Sequence, residues 1–482
     1  MLFNSIHYVI FLPVVLIVYF ISPFKHRWLV LLLASCYFYM SFIPVYLLIL
    51  VFTIVIDYFV GIYLEKIDPG KKRALLIVSL VANLSVLFIF KYFNFFTENF
   101  NALLHTLLPG SSESYIPVLS IILPIGLSFH TFQSMSYIIE VFLGRQKAEK
   151  HFGYYWLYVM YFPQLVAGPI ERPQNLIGQL HANNPFLWDR FIQGAKIIII
   201  GFFMKIVVSD RLSIVVDQVY GDPHSFGSKD LILATYFFAF QIYCDFAGYS
   251  YIAIGTSRIF GIKLMENFNF PYFSSSITEF WTRWHISLSG WFKDYLYIPL
   301  GGSRIGRLMH MRNLVIVFAI SGLWHGANWT FLIWGFLHAG LAIFETILKM
   351  LPLKKVFSKN PKNKIFTVIY LIKIAIVFHL VLISWVFFRA KNLQDALYIL
   401  NHFFDFSFRS LQGLDFQLNI KTGIVVISLL LLIDFLRSSR YLKSKTELIH
   451  KWKLEYVFYS FLIISIFLGG VFHGSSFIYF QF

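Results

Sequence analysis

Charge is scarce in this chain of 482 residues. Only 13% of them are Asp, Glu, Lys or Arg, against about 25% in an average soluble domain, and the few charges gather between long apolar runs. Cysteine is nearly absent. Cys36 and Cys244 lie in apolar surroundings with no CxxC or Cys/His spacing, which excludes a disulfide framework and a thiolate metal site. No P-loop occurs, which argues against an ATP-driven pump. No GxSxG elbow occurs either, leaving a resident serine nucleophile unsupported. The first apolar stretch lacks a basic flank and a small-residue cleavage site, so it reads as a retained membrane segment rather than a cleaved signal.

What the chain does have is apolar length: 58% of its residues are hydrophobic and 20% aromatic. A span needs about 20 apolar residues. Spans are expected near residues 5–23, 28–43, 45–64, 74–95, 116–143, 154–168, 191–208, 230–256, 313–348, 365–388, 422–436 and 454–474. The 313–348 run is too long for one crossing and should hold two segments. The expected fold class is therefore an all-α polytopic membrane protein, a single membrane domain over 1–482. The net charge of +16 does not signal nucleic acid, because the basic residues sit at the ends of apolar runs as the positive-inside rule requires. Placing the clusters at Lys25/Arg27, Lys66–Arg73, Arg145–Lys150, Arg304–Arg312, Lys349–Lys364 and Arg437–Lys453 in the cytoplasm puts the N-terminus and a polar loop at 97–115 outside, with Pro44 at an outer turn.

The middle of the chain departs from this pattern. "FPQLVAGPIERPQNLIGQL" (162–180) is broken by Pro163, Pro169 and Pro173, and by Gly168 and Gly178. Non-helical backbone at membrane depth survives only where protein or a water-filled cavity satisfies it. "ITEFWTRWHISLSGWFKDYLYIPLGGSRIGR" (277–307) is too polar to face lipid and too aromatic for a free loop. Both stretches are expected to be re-entrant or interfacial segments lining a cavity.

Two histidines stand out there and just beyond: His285 in "WTRWHISLS" and His325 in "SGLWHGANW". Tryptophans supply rigid walls and N–H donors, and small residues allow close approach. A buried imidazole stays neutral and keeps one nitrogen as a proton acceptor, which suits a general base acting on a hydroxyl. The plainer alternative is an interhelical hydrogen bond, and helix packing is the expectation for His130, His338 and His379. Trp281, Trp284, Ser287, Trp324 and Asn328 flank the two histidines as substrate-binding candidates. Asp245, in "QIYCDFAGYSY", is the carboxylate expected to face a polar interior, whereas Glu140 and Glu345 lie near run ends and Asp57 in an apolar run. Lys293 and Asp294 read as a surface pair or as a contact for a donor phosphate. No HExxH or comparable spacing supports a metal built on the histidines with Asp245 or Asp294.

Four blocks in order carry a resemblance: "YFPQLVAGPIERPQNLIGQL", "FQIYCDFAGYSYIAIGTSRIFGIKLMENFNFPY", "FWTRWHISLSGWFKDYLYIPLGG" and "ISGLWHGANWTFLIWG". Together they resemble the alginate O-acetyltransferase branch of the membrane-bound O-acyltransferase family, over about residues 1–400, with residues 401–482 matching only loosely. The resemblance implies a multi-helix bundle around a central tunnel, the principal histidine at His325 and the second at His285. It implies no bound cofactor, acetyl-CoA or an acyl-carrier thioester as donor substrate, and a bacterial inner-membrane location. It also implies transfer to a hydroxyl of an envelope polysaccharide, or of an extracytoplasmic relay partner with a serine nucleophile. A transporter or channel with proton-relaying histidines, and a scaffold for a polymer-modifying complex, are the competing readings from the residues.

Overall fold

The computed structural model describes residues 1–108, 115–350, 364–405, 414–438, 454–472 and 477–478. Every regular element among them is a helix. In chain order they begin with α1 (Ile6–Ile21), α2 (Phe24–Met40), α3 (Tyr46–Lys66), α4 (Lys72–Leu87), α5 (Phe93–Leu107) and α6 (Leu127–Phe142). Four helices follow: α7 (Phe152–Met160), α8 (Phe162–Leu165), α9 (Pro173–His181) and α10 (Trp188–Phe202). Then come α11 (Asp210–Gly221), α12 (Ser228–Ile259), α13 (Ile277–Arg283), α14 (Ile286–Phe292), α15 (Arg307–His325) and α16 (Trp329–Leu348). The last four are α17 (Lys364–Arg389), α18 (Leu393–Asn401), α19 (Leu414–Ser438) and α20 (Leu454–Gly469).

Among the described residues seven stretches are long and apolar enough to cross a membrane: Tyr46–Lys66, Pro69–Leu107, Trp188–Gly221, Ser228–Ile259, Trp329–Leu348, Val368–Arg389 and Asp415–Phe435. The chain is a multi-pass membrane protein. Two of these stretches are continuous only because a π-turn joins two α-helices, at Phe88–Tyr92 and at Phe203–Ser209. The 313–348 run divides as its length demands, with α15 and α16 meeting at Gly326–Asn328.

The chain forms two compact units, one of residues 1–198 with 252–265, the other of 199–251 with 266–482. In the first, the expected loop at 97–115 proves helical as far as Leu107, and the expected span at 116–143 becomes helical only at Leu127. One polar residue of the expected loop, Asn101, is a cross-link, as is Asn94 just before it. Asn94 exchanges two hydrogen bonds with the backbone of Leu119, at 2.9 and 2.8 Å, and Asn101 does the same with Ile116, at 2.9 and 3.1 Å. These amides satisfy an extended segment that carries Pro117 and Pro124 and cannot pair with itself.

The broken stretch 162–180 is also held inside the first unit. Ser35 Oγ accepts from the Phe162 N–H at 3.0 Å, Gln164 donates to the Tyr158 carbonyl at 2.9 Å, and the Tyr158 hydroxyl reaches the Gln133 and Glu171 carbonyls. It borders a void of only about 10 Å³, room for about one water. Protein, rather than a large cavity, meets its peptide groups. Asp57 is fully buried nearby and accepts from Ser79 Oγ at 2.5 Å and from Asn83 Nδ2 at 2.9 and 3.0 Å.

In the second unit α15 and α16 form an antiparallel hairpin packed on glycine. A Cβ on Gly322 would lie 2.3 Å from the Phe331 carbonyl oxygen, and one on Gly335 would lie 2.3 Å from that of Phe318. Small residues at such crossings let helix backbones touch. The contact is with backbone, so no side chain can rotate away. Gly322→Ala should therefore cost about 1–3 kcal/mol, read as a lowered unfolding midpoint in detergent. An unchanged midpoint would show that the hairpin is looser than described.

Candidate functional site

His285 sits where two short helices meet. Ser276 caps α13 by accepting from the Glu279 N–H at 3.0 Å, while Glu279 reaches back to the Ser275 N–H at 2.8 Å, a capping box one residue out of register. The helix stops at Arg283, and α14 begins at Ile286 after His285 takes a left-handed conformation, φ 43° and ψ 54°. Phe270 is the other described non-glycine residue with positive φ. Such conformations cost of order 1–3 kcal/mol and need surrounding structure to hold them.

Asn267 does the holding. Its backbone carbonyl accepts from the Ile286 N–H at 2.9 Å, and its side-chain oxygen accepts from Ser287 N and Oγ at 3.2 and 3.0 Å. Its amide in turn donates to Ser250 Oγ at 3.3 Å. Ser287 thus fixes the turn that aims His285. The imidazole is 1% exposed and packs edge-on against Phe246, with centroids 4.5 Å apart. Burial holds it well below the ordinary histidine value, so it is neutral at neutral pH.

His325 is the last residue of α15 and is 3% exposed. Gly326 has no room for a side chain, since a Cβ would meet the Phe331 ring at 2.1 Å. Asn328 then caps α16 by accepting from the Thr330 N–H at 3.0 Å, and its amide donates to the Lys391 carbonyl at 3.2 Å. Trp324, Trp334 and Phe388 enclose the His325 ring at centroid distances of 5.0, 5.0 and 5.1 Å. Trp324 also lies 5.9 Å from His285, so one indole joins the two imidazoles. Trp284 is buried and stacks on Phe280, and Trp281 lies edge-on to Trp334 at 5.7 Å.

A cavity of about 170 Å³ adjoins this aromatic wall, lined by Trp281, Leu288, Ser289, Phe292, Val317, Ser321 and their neighbours. Ser289 lies one helical turn from His285, and Ser321 one turn before His325. Lys293 borders the cavity at the exposed end of α14, next to the exposed Asp294. The structure thus gathers His285, His325, Trp281, Trp284, Ser287 and Trp324 in one region, and Asn328 reaches it as a helix cap. Among the described residues no cluster of three or more His, Cys, Asp or Glu could hold a metal.

Asp245 belongs to a separate cluster that the sequence did not disclose. Lys205 Nζ lies 2.7 Å from Asp210 and 2.5 Å from Asp245, all three at most 5% exposed. The π-turn Phe203–Ser209 makes this possible, because it brings residues five apart onto one face. Gly248 admits the Lys205 backbone, since a Cβ there would meet its nitrogen at 3.0 Å. Asp245 also accepts from the Ile478 N–H at 2.6 Å, and Phe477 packs on Phe246, the ring that supports His285. Other histidines are tied to neighbouring helices: the buried His338 to Ser384 at 2.9 Å and His130 to Thr53 at 2.7 Å, and the exposed His379 to Tyr236 at 2.6 Å.

With this geometry in view, the comparisons with known proteins are direct. The model of the membrane-bound O-acyltransferase family matches residues 17–390. A peptidoglycan O-acetyltransferase of Helicobacter pylori is 38% identical, covering 83% of this chain and 79% of its own length. A probable alginate O-acetylase, AlgI, of Pseudomonas aeruginosa is 36% identical over 90% of this chain and 81% of its own. A teichoic acid D-alanyltransferase of Bacillus subtilis is 30% identical over 55% of this chain and 69% of its own. The chain belongs to the membrane-bound O-acyltransferase family. It is a multi-pass membrane acyltransferase enzyme.

The charge cluster is open to test. Removing one member of a buried pair leaves an uncompensated charge, at a cost of about 3–5 kcal/mol. Lys205→Met should lower the thermal midpoint in detergent far more than the exposed Lys293→Met. Equal effects would mean that water reaches the cluster and screens it.

Proposed function

We propose that this protein passes an acetyl group from a thioester donor on the cytoplasmic side to a hydroxyl presented from outside. The acceptor is an envelope polysaccharide or the serine of an extracytoplasmic relay protein. The relatives are named for O-acetylation of peptidoglycan and of alginate, and similarity over 83% and 90% of this chain supports a polysaccharide acceptor here. In this reading the protein lies in a bacterial inner membrane with its N-terminus outside. The donor is acetyl-CoA or an acyl-carrier thioester.

One observation supports the chemistry above the others: two deeply buried imidazoles joined by one indole, each a short distance from a cavity. His325 takes the proton of the incoming hydroxyl as its oxygen attacks the thioester carbonyl carbon. The C–O bond forms, the C–S bond breaks, and the proton passes from His325 to the departing sulfur. The positive charge that grows on His325 lies at the C-terminal end of a helix of 19 residues, where the backbone dipole favours a cation. The oxyanion formed meanwhile needs a preorganised donor. The Trp334 indole N–H supplies it: the ring touches His325, and the nitrogen is buried with no hydrogen-bond partner among the described residues. His285, held in place by its Asn267-clamped turn, orients the acceptor hydroxyl. Asn328 and Asp245 act behind this group, the first by fixing the turn after His325 and the second by holding the support of Phe246.

Direct transfer needs only these groups. In vesicles supplied with labelled acetyl-CoA or an acetylated carrier, and with an acceptor sugar or relay protein, His325→Ala should lose about 10²–10⁴-fold in transfer. It should keep its thermal midpoint. Transfer at the unsubstituted rate would remove His325 as the proton acceptor. A protein that moves an intact solute without transferring label would be a transporter instead.

A further inference from the structure

Backbone alone does not aim a buried imidazole. The torsion that turns a histidine ring about its Cβ–Cγ bond is broad. The Asn267 clamp therefore fixes where the His285 side chain starts, and the rings around it fix where its nitrogens point. Phe246, on α12, packs edge-on against that imidazole with centroids 4.5 Å apart. Whatever holds Phe246 helps to aim His285. Phe268 and Phe477 pack on it at 5.1 and 5.8 Å, and Phe477 also lies 5.0 Å from Tyr249. Phe246 and Tyr249 are three residues apart on one helix and share a face, and the buried Phe477 ring meets both.

Phe477 comes from a distant part of the chain, and a charge keeps it in place. Lys205 is one ammonium set between two carboxylates, Asp210 and Asp245. Those three groups hold one more negative charge than positive, in a dry setting where an unmet charge is costly. Asp245 turns Oδ1 to Lys205, while its Oδ2 accepts from the N–H of Ile478, 233 residues away in the chain, at 2.6 Å. That bond to a carboxylate is of the stronger, charge-assisted kind. Two consecutive residues of one segment so meet two consecutive residues of α12: the Ile478 N–H meets Asp245, and the Phe477 ring meets Phe246. The backbone bond sets the register in which ring lands on ring.

We propose that Phe477 is a positioning residue for His285. Latched through the Ile478 backbone to Asp245, it wedges Phe246 against the imidazole and keeps that ring in its working orientation. The inference rests on the acyl-transfer reading above, in which His285 orients the acceptor hydroxyl. It adds a residue that acts only through another side chain.

The test is the rate of label transfer in vesicles, from acetyl-CoA or an acetylated carrier to an acceptor sugar or relay protein. It compares the unsubstituted chain with Phe477→Ala, Phe477→Leu and Ile478→Pro, each read below its own thermal midpoint. Phe477→Ala and Ile478→Pro are also combined with His285→Ala. Phe477→Ala takes the support from Phe246, and Ile478→Pro removes the N–H that Asp245 holds. Either should lower kcat about tenfold or more, within the range that misplacement of a reacting group costs, with KM for the thioester unchanged. Phe477→Leu, which keeps most of the bulk against Phe246, should recover most of the lost rate. Neither Phe477→Ala nor Ile478→Pro should cost anything further once His285 is replaced, because substitutions that act through one group do not add. If they multiply the loss caused by His285→Ala, as a general loosening of the fold would, or leave kcat untouched, the proposal is overturned. Where Phe477→Ala does not fold, Ile478→Pro decides alone by the same comparison. Absence of transfer from either thioester by the unsubstituted protein would instead defeat the acyl-transfer reading, and the proposal with it.

Discussion

No peptide group or charge can be left unmet away from water, and this constraint shapes the rest of the protein. Regular helices meet it by themselves, which is why so much of the chain is helical. A site for chemistry needs something else: backbone that turns inside the membrane and polar side chains that face inward. Each departure from regular helix here carries its own compensation. Asn94 and Asn101 serve the extended segment before α6, Ser35, Tyr158 and Gln164 serve the broken stretch around α8, and Asn267 serves the turn at His285. The charged residues follow the same rule, with Lys205 set between two carboxylates.

The functional region follows from these compensations. Asn267 permits a left-handed histidine, and the left-handed histidine separates two short helices that line the cavity. Glycines at 322 and 335 bring α15 and α16 so close that His325, at the end of one, is enclosed by Trp334 on the other. Aromatic rings rather than charges fill the space between the two imidazoles. That leaves a dry, rigid region in which the base and indole donor proposed above would be worth more than in water.

Much of this was legible in the sequence. The apolar runs gave the rough places of the long helices, although only seven stretches among the described residues are long and apolar enough to cross against twelve expected, and the paired His/Trp motifs singled out His285 and His325. Their convergence on one indole was not legible, because nothing in a linear chain says that Trp324 reaches both rings. The 97–115 stretch misled for a physical reason: asparagines that cap a neighbouring segment look the same as asparagines in a loop. Lys205 and Asp210 are five residues apart, a separation that fits no α-helical face. Only the π-turn unites them. Asp245 read correctly as facing a polar interior, while its partners, one of them the backbone of Ile478, lie far away in the chain.

The central claim is that His325 and His285 flank one place where a thioester and a hydroxyl meet. A structure with a non-reactive thioether analogue of the acetyl donor bound tests it most directly. The account predicts the analogue's carbonyl against the Trp334 indole and its sulfur within hydrogen-bond reach of His325. An analogue seated elsewhere, with both imidazoles still sealed among aromatic rings, would contradict it.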